Sequence, residues 1–335
     1  MNSLAQGWLL ALAAAAISGL FVFISLKPLI GWLRRRAIMD IPNDRSSHIE
    51  ITPRGGGIAV TGGILLGLLV WSSFSRDGTL LLMPGMILLA LISWLDDRRG
   101  GLPAGFRLGA QFVAVGFVFV WMPPGFGSIV PAWLPYWLEI VVLILAWAWF
   151  VNLFNFMDGI NGITGVEMLT LGLGAVLVTA LQQGGTPSGA GLIVVAAALG
   201  FLPWNWGKAK VFLGDVGSVP VGYLLGGLML LLAWSGAWAA ALILPMYYWV
   251  DATYTLLRRL LSGEKVWQAH RSHFYQQGAR KLGSHAAAAG RVAALNLLLV
   301  VLAAVSIQDW PAALAAILIA LAATAVLCRH FAEPA

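Results

Sequence analysis

Charge is what this sequence has least of. Of its 335 residues, 14 are acidic and 20 basic, or 10% in all, where a soluble domain carries about a quarter. That small polar complement cannot cover a chain whose hydrophobic fraction is 60%, so a soluble enzyme, a disordered chain and a nucleic-acid-binding domain are excluded. Cysteine is nearly absent as well. The single Cys328 excludes an internal disulfide and any cysteine-based metal site. The formal charge of +6 would suit a polyanion, but the positions of the basic residues argue for a membrane instead, and no nucleic-acid partner is expected.

What fills the sequence is long apolar runs. At about 20 residues per span and about 10 per loop, the length predicts roughly 11 crossings. The runs are Trp8–Leu33, Ile58–Phe74, Leu80–Leu95, Leu108–Met122, Trp137–Phe154, Thr164–Leu181, Ala190–Leu202, Val219–Trp234, Ala237–Leu257, Val292–Ile307 and Ala312–Leu327. They are continuous rather than alternating, which excludes a transmembrane barrel. The expected fold is all-α: a polytopic integral membrane protein of about 11 transmembrane helices, with residues 1–335 forming one membrane-embedded domain. Met1 to Gly7 contain no Lys or Arg, so the first run reads as a span rather than a cleaved signal. An N-terminus on the periplasmic side puts 18 of the 20 basic residues in inner loops or the C-terminal tail. Arg76 alone falls on an outer loop, and the C-terminus is cytoplasmic.

The outer loops are short, and the polar chemistry lies on the inner ones. The first inner loop runs Pro42-Asn-Asp-Arg-Ser-Ser-His48 to Pro53-Arg-Gly-Gly-Gly57. Its glycines either form a turn or expose N–H groups to a phosphate, with Arg45 and Arg54 supplying charge. Asp96-Asp97 ends the third run. Two adjacent carboxylates at a membrane boundary call for a cation, Mg²⁺ or Arg, unless they belong to a solvated cluster with Arg98 and Arg99. The third inner segment holds Asn152, Asn155, Asp158 and Asn161 without a basic residue. If the helix continues, the first three share a face of hard oxygen donors suited to Mg²⁺. In Lys208–Ser218, Asp215 stands between glycines and is either a metal ligand or a cap, and Phe212 offers an aromatic face to a base. The last inner loop carries His270-Arg-Ser-His273-Phe-Tyr-Gln276, where two histidines at i and i+3 would share a helical face. These are too few for zinc and better suited to phosphate or sugar. Asp251 and Glu167, at inner ends of spans, read as functional or paired carboxylates.

Together and in this order, the Pro-Asn-Asp-Arg-Ser-Ser-His to Pro-Arg-Gly-Gly-Gly stretch, Asp96-Asp97, Asn152–Gly162, Phe212-Leu-Gly-Asp-Val-Gly-Ser218 and His270–Gln276 resemble the polyprenyl-phosphate N-acetylhexosamine-1-phosphate transferases of glycosyltransferase family 4. The His-Arg-Ser-His form is closest to the branch that initiates O-antigen; the histidine-rich triplet of the peptidoglycan branch is absent. The resemblance implies transfer of HexNAc-1-phosphate from a UDP-N-acetylhexosamine to undecaprenyl phosphate at the cytoplasmic face of the bacterial inner membrane. It implies Mg²⁺, with Mn²⁺ as an alternative, held by Asp215 and Asn155. Asp96 and Asp97 would lie by the lipid phosphate, with Asp158 completing the acidic cluster. Phe212 would stack on uracil and Asn161 contact the uridine. His270, Arg271 and His273 would hold the sugar and diphosphate. Arg107 would bind the lipid phosphate, and Arg54 and Asn152 complete the substrate contacts. Many bacterial members carry Asp where this chain has Asn161, which argues against an essential anion there. A homodimer is left open. The competing reading is an ion-coupled transporter using Asp158 and Asp251, which predicts polar chemistry on both faces; this sequence places it on one.

Overall fold

The computed structural model describes residues 3–42, 47, 50–75, 77–99, 101–122, 129, 135–182, 188–265 and 270–332. Arg45, His48 and Arg76 lie outside the described residues. The protein is an all-α, multi-pass membrane protein. Among the described residues, eight helices are long and apolar enough to cross a bilayer, and Gly57–Ser72 and Gly189–Asn205 are shorter apolar helices.

The helices are α1 (Ser3–Arg35), α2 (Gly57–Ser72), α3 (Leu82–Arg99), α4 (Ala104–Trp121), α5 (Tyr136–Phe156), α6 (Ile163–Leu181) and α7 (Gly189–Asn205). They continue with α8 (Asp215–Leu232), α9 (Trp238–Ile243), α10 (Met246–Leu261), α11 (Phe274–Lys281), α12 (His285–Val305) and α13 (Trp310–Ala332). Each apolar run falls on a helix, with one difference. The run Ala237–Leu257 is divided between α9 and α10, because Pro245 has no N–H to continue α9 and becomes the N-cap of α10. Between α8 and α9 a π-helical turn, Ala233–Ala237, contains Gly236 at φ +93°, a conformation open to glycine at little cost.

The core forms around α8, which is apolar all round and buried along nearly its whole length. It packs against α3 and α5, with α1, α2 and α7 forming one flank and α6 and α12 another. Close approach depends on small residues, as it does where lipid supplies no hydrophobic drive between helices. A Cβ on Gly57 would run into the Gly217 backbone nitrogen, so α2 and α8 touch backbone to backbone. Val113 on α4, Ile24 on α1 and Val326 on α13 are exposed, as lipid-facing positions require.

Polar elements gather at one end of the bundle. A two-stranded antiparallel pair, β1 (Met39–Asp40) and β2 (Thr52–Pro53), pairs Met39 with Pro53 and Asp40 with Thr52. The chain then runs beside the segment before α8. Phe212 N–H donates to Pro53 O (2.8 Å), Gly55 and Gly56 N–H donate to Phe212 O (3.1 and 2.8 Å), and Gly57 N–H donates to Leu213 O (2.8 Å). The glycine turn therefore spends its amides on protein carbonyls. Of the two readings left open for this run, the turn is the one observed, and glycine is needed here so that two backbones can meet.

Candidate active site

That backbone zipper places Arg54 opposite Asp215, the first residue of α8. Arg54 Nη2 lies 2.6 Å from Asp215 Oδ1 and 3.3 Å from Asp97 Oδ1 near the end of α3. Arg107, in the first turn of α4, lies 3.1 Å from Asp96 Oδ2 and 3.8 Å from Asp215 Oδ2. The Leu102 N–H also donates to Asp96. Four segments distant in sequence thus converge in one network of three carboxylates and two guanidiniums. Burial opposes the Arg54 charge, but Asp215, Asp97 and Asp40 outweigh it and hold the guanidinium above its ordinary value. Asp96 and Asp97 thus have arginine partners from outside the local Arg98-Arg99 pair.

The third inner segment is built differently from its spacing. The helix α5 stops at Phe156 with Met157 as C-cap, so Asp158 is placed by a turn and not by helical periodicity. Thr164 Oγ1 donates to Asp158. Asp158 is half-buried at the wall of a cavity, and the surrounding protein partly desolvates its carboxyl. This desolvation, opposed by the Thr164 hydroxyl and reinforced by Asp215, pushes it up to about 7. Asn155 Oδ1 accepts from Ser218 Oγ (2.6 Å), which joins α5 to α8. Asn152 faces α4, donating to Gln111 Oε1 (2.6 Å). Asn161 N–H donates to His285 Nδ1 (3.3 Å) and its Nδ2 donates to Gly207 O (2.6 Å). His285 Nε2 lies 2.9 Å from Ser47 O, so these two contacts select the tautomer with the proton on Nε2.

Two hollows meet at this network. A polar cavity of about 280 Å³ is lined by Asp40, Arg54, Asn155, Asp158, Asn161, Phe212 and Asp215, with Asn205, Tyr275, Gln276 and His285. An apolar one of about 330 Å³ between α3, α4, α5 and α10 is lined by Leu89, Leu108, Trp149 and Leu256, and reaches Arg107, Asn152, Asn155 and Asp215. Asn155 and Asp215 line both.

The histidine segment stands apart. The helix α11 begins only at Phe274, so His270 and His273 precede it, and the shared helical face is replaced by ring stacking at 4.7 Å. His273 turns inward onto fully buried Asp251 (Nδ1 to Oδ1, 3.2 Å). The same carboxylate accepts from Phe274 and Tyr275 N–H (2.9 Å each) and from Tyr247 Oη (3.1 Å). Burial, then the neighbouring His273 and Arg259, pushes His270 down to about 4. Neither histidine lines the polar cavity, nor does Arg271. Tyr275 connects the segment to the site through a bond from its Oη to Phe156 O (2.9 Å). Sequence reasoning assigned no role to Asn205, Tyr275, Gln276 or His285. Gln276 carried the one usable signal, a polar residue inside the last motif, and its Oε1 is buried with no hydrogen-bond partner among the described residues.

For a metal, no three His, Cys, Asp or Glu side chains form a cage among the described residues. Mg²⁺ does not require one, since one or two protein oxygens plus phosphates and water suffice. Asp215 and Asn155, hard oxygen donors facing the same two hollows, fit that need.

Residues 79–233 match the model of glycosyl transferase family 4. The chain is 27% identical over 284 residues, 79% of this chain and 76% of the relative, to a probable undecaprenyl-phosphate N-acetylglucosaminyl 1-phosphate transferase of Bacillus subtilis. It is 29% identical over 266 residues (68% and 76%) to a phospho-N-acetylmuramoyl-pentapeptide-transferase of Chlamydia pneumoniae. It is also 29% identical over 241 residues (63% and 58%) to a decaprenyl-phosphate N-acetylglucosaminephosphotransferase of Mycolicibacterium smegmatis. The stretch that is similar to glycosyl transferase family 4 contains Asp96, Asp97, Arg107, Asn155, Asp158 and Asp215, so the family match falls on the residues gathered around this site.

Proposed function

We propose that the protein transfers a HexNAc-1-phosphate group from a UDP-N-acetylhexosamine to undecaprenyl phosphate at the cytoplasmic face of the bacterial inner membrane. The products are undecaprenyl-diphospho-HexNAc and UMP, and the step initiates O-antigen or another envelope polysaccharide. One observation carries this reading: Asp215 and Asn155 line both the polar cavity and the apolar groove. A soluble nucleotide and a lipid phosphate approaching from the two sides meet at the same residues.

The division of labour follows from the lining. Phe212 and Asn161 face the polar cavity and receive the uridine. Arg107, at the polar end of the apolar groove, receives the lipid phosphate. That phosphate monoester has a second pKa near 6, so it is mostly ionised before it attacks and needs no strong base. Its oxygen displaces UMP at the sugar-linked phosphorus in line, in one step, and Asp96, paired with Arg107, or the adjacent Asp97 orients it or takes the residual proton. Asp215 and Asn155 are the residues that would hold Mg²⁺ or Mn²⁺, which when bound supplies positive charge to the diphosphate and to departing UMP. Arg54 keeps Asp97 and Asp215 together despite their mutual repulsion.

The test is UMP release by the purified full chain with undecaprenyl phosphate, Mg²⁺ and a panel of UDP-sugars carrying GlcNAc, GalNAc, FucNAc or QuiNAc. Release that requires the lipid is expected with at least one donor. No release with any donor by a folded preparation overturns the reading. Exchange of labelled UMP into UDP-sugar without lipid would replace the single displacement by a covalent aspartyl route.

A further inference from the structure

A third hollow, of about 1220 Å³, opens between α1, α2 and α3. Its lining on α3 is Ile87, Ala90, Leu91, Trp94 and Asp97, whereas the apolar groove described above uses Leu89, Ile92 and Ser93. The two sets are about two residues out of phase, so they occupy opposite faces of one helix. On α2 the lining is Ile58, Thr61, Gly62 and Leu65, a stripe at helical spacing. The walls are apolar and the mouth is basic. Arg36 and Arg98 stand exposed there, and among the described residues neither has an acidic partner. Trp32 and Trp94, 6.0 Å apart, mark the interfacial level, with Arg98 over the Trp94 ring at 5.8 Å. The two carboxylates in the lining, Asp40 and Asp97, both act on Arg54.

We propose that this hollow is a binding site for one anionic membrane phospholipid, with its acyl chains between α2 and α3 and its phosphate on Arg36 and Arg98. Charge complementarity names the occupant, since two exposed guanidiniums above an apolar cleft at the interface suit an anionic headgroup. The prenyl phosphate is served by the groove on the other face of α3. The lipid fills the space between α3, which carries Asp97, and α2 with the segment before it that carries Arg54, and so supports their 3.3 Å contact. The consequence for turnover rests on the transferase reading above; the binding does not.

The experiment is native mass spectrometry of the full chain released from nanodiscs of dioleoyl phosphatidylcholine containing dioleoyl phosphatidylglycerol. Wild type is expected to retain one phosphatidylglycerol in preference to phosphatidylcholine. Arg36→Gln and Arg98→Gln, both at exposed positions, should each weaken retention about fivefold. Ala90→Trp keeps the basic mouth and fills the cleft, and should abolish retention. Unchanged retention in both arginine variants, or in a folded Ala90→Trp variant, overturns the site. So does replacement of the retained phosphatidylglycerol by added undecaprenyl phosphate. UMP release in phosphatidylcholine nanodiscs titrated with phosphatidylglycerol is then compared. Wild type should be activated and Arg36→Gln/Arg98→Gln should not. Retention without transferase activity would sink the proposed reaction and leave the lipid site standing.

Discussion

Asp215 carries the greatest number of separate demands in this molecule. It starts the central helix, accepts from Arg54 at 2.6 Å and belongs to both hollows. Asp215→Ala should lower UMP release by at least about 10²-fold, the scale set by removal of one positioned charge-stabilising group, with the thermal midpoint close to wild type. Asp158 makes a different prediction. Its carboxyl titrates at about 7 in the folded chain against 3.8 for the free group. The folded state therefore binds that proton more tightly, and stability is fully present below pH 3.8 and lost as pH rises through 7. Asp158→Asn mimics the protonated form, so the difference in thermal midpoint between variant and wild type in detergent should grow between about pH 5 and pH 8 in favour of the variant. An identical pH dependence in both proteins would remove the desolvated carboxyl from the site.

At the scale of elements, the segment from His270 into α11 depends on one side chain. Asp251 holds His273 and the first two N–H groups of α11, and is itself wholly buried in α10. Asp251→Asn would turn an amide donor toward groups that need an acceptor. The expected cost is about 3 kcal/mol, read as a lower thermal midpoint and faster tryptic cleavage at Arg271 and Arg280. Asp251 shows where sequence reading succeeds and where it stops. A lone carboxylate in an apolar run announces a partner, but the partner lies 22 residues away across a loop, and no periodicity encodes that distance. The glycine run stayed ambiguous in the sequence for a related reason. Gly55, Gly56 and Gly57 carry the same composition whether they cradle a phosphate or a neighbouring backbone, and only the packing of α2 on α8 decides. The apolar runs, by contrast, were legible because about 20 residues of continuous hydrophobicity have one physical use. Pro245 was the visible signal for the divided run.

For the whole molecule, the chemistry is confined to one end of the helix bundle, and the basic residues of the sequence follow it. An impermeant maleimide should therefore label Lys208→Cys only in inverted membrane vesicles and Ser235→Cys only in intact spheroplasts. Both positions are exposed, and Cys328, which is buried, contributes little background. Labelling of both from the same side would break the topology. Arg54 and Asp97, the arginine–carboxylate contact nearest the wide cleft, could be placed on one face from the sequence, but their meeting could not, because it depends on how α2 and α3 are held.

The pairing of residues 53–57 with 212–213 has an implication for how this protein can change over time. Side chains along two aligned extended segments keep their partners only while the count is preserved. Inserting or deleting a single residue between Pro53 and Gly57, or between Phe212 and Asp215, would turn Arg54 away from Asp215 without altering any chemical group. Indels in these two short stretches should therefore abolish activity even where point substitutions are tolerated.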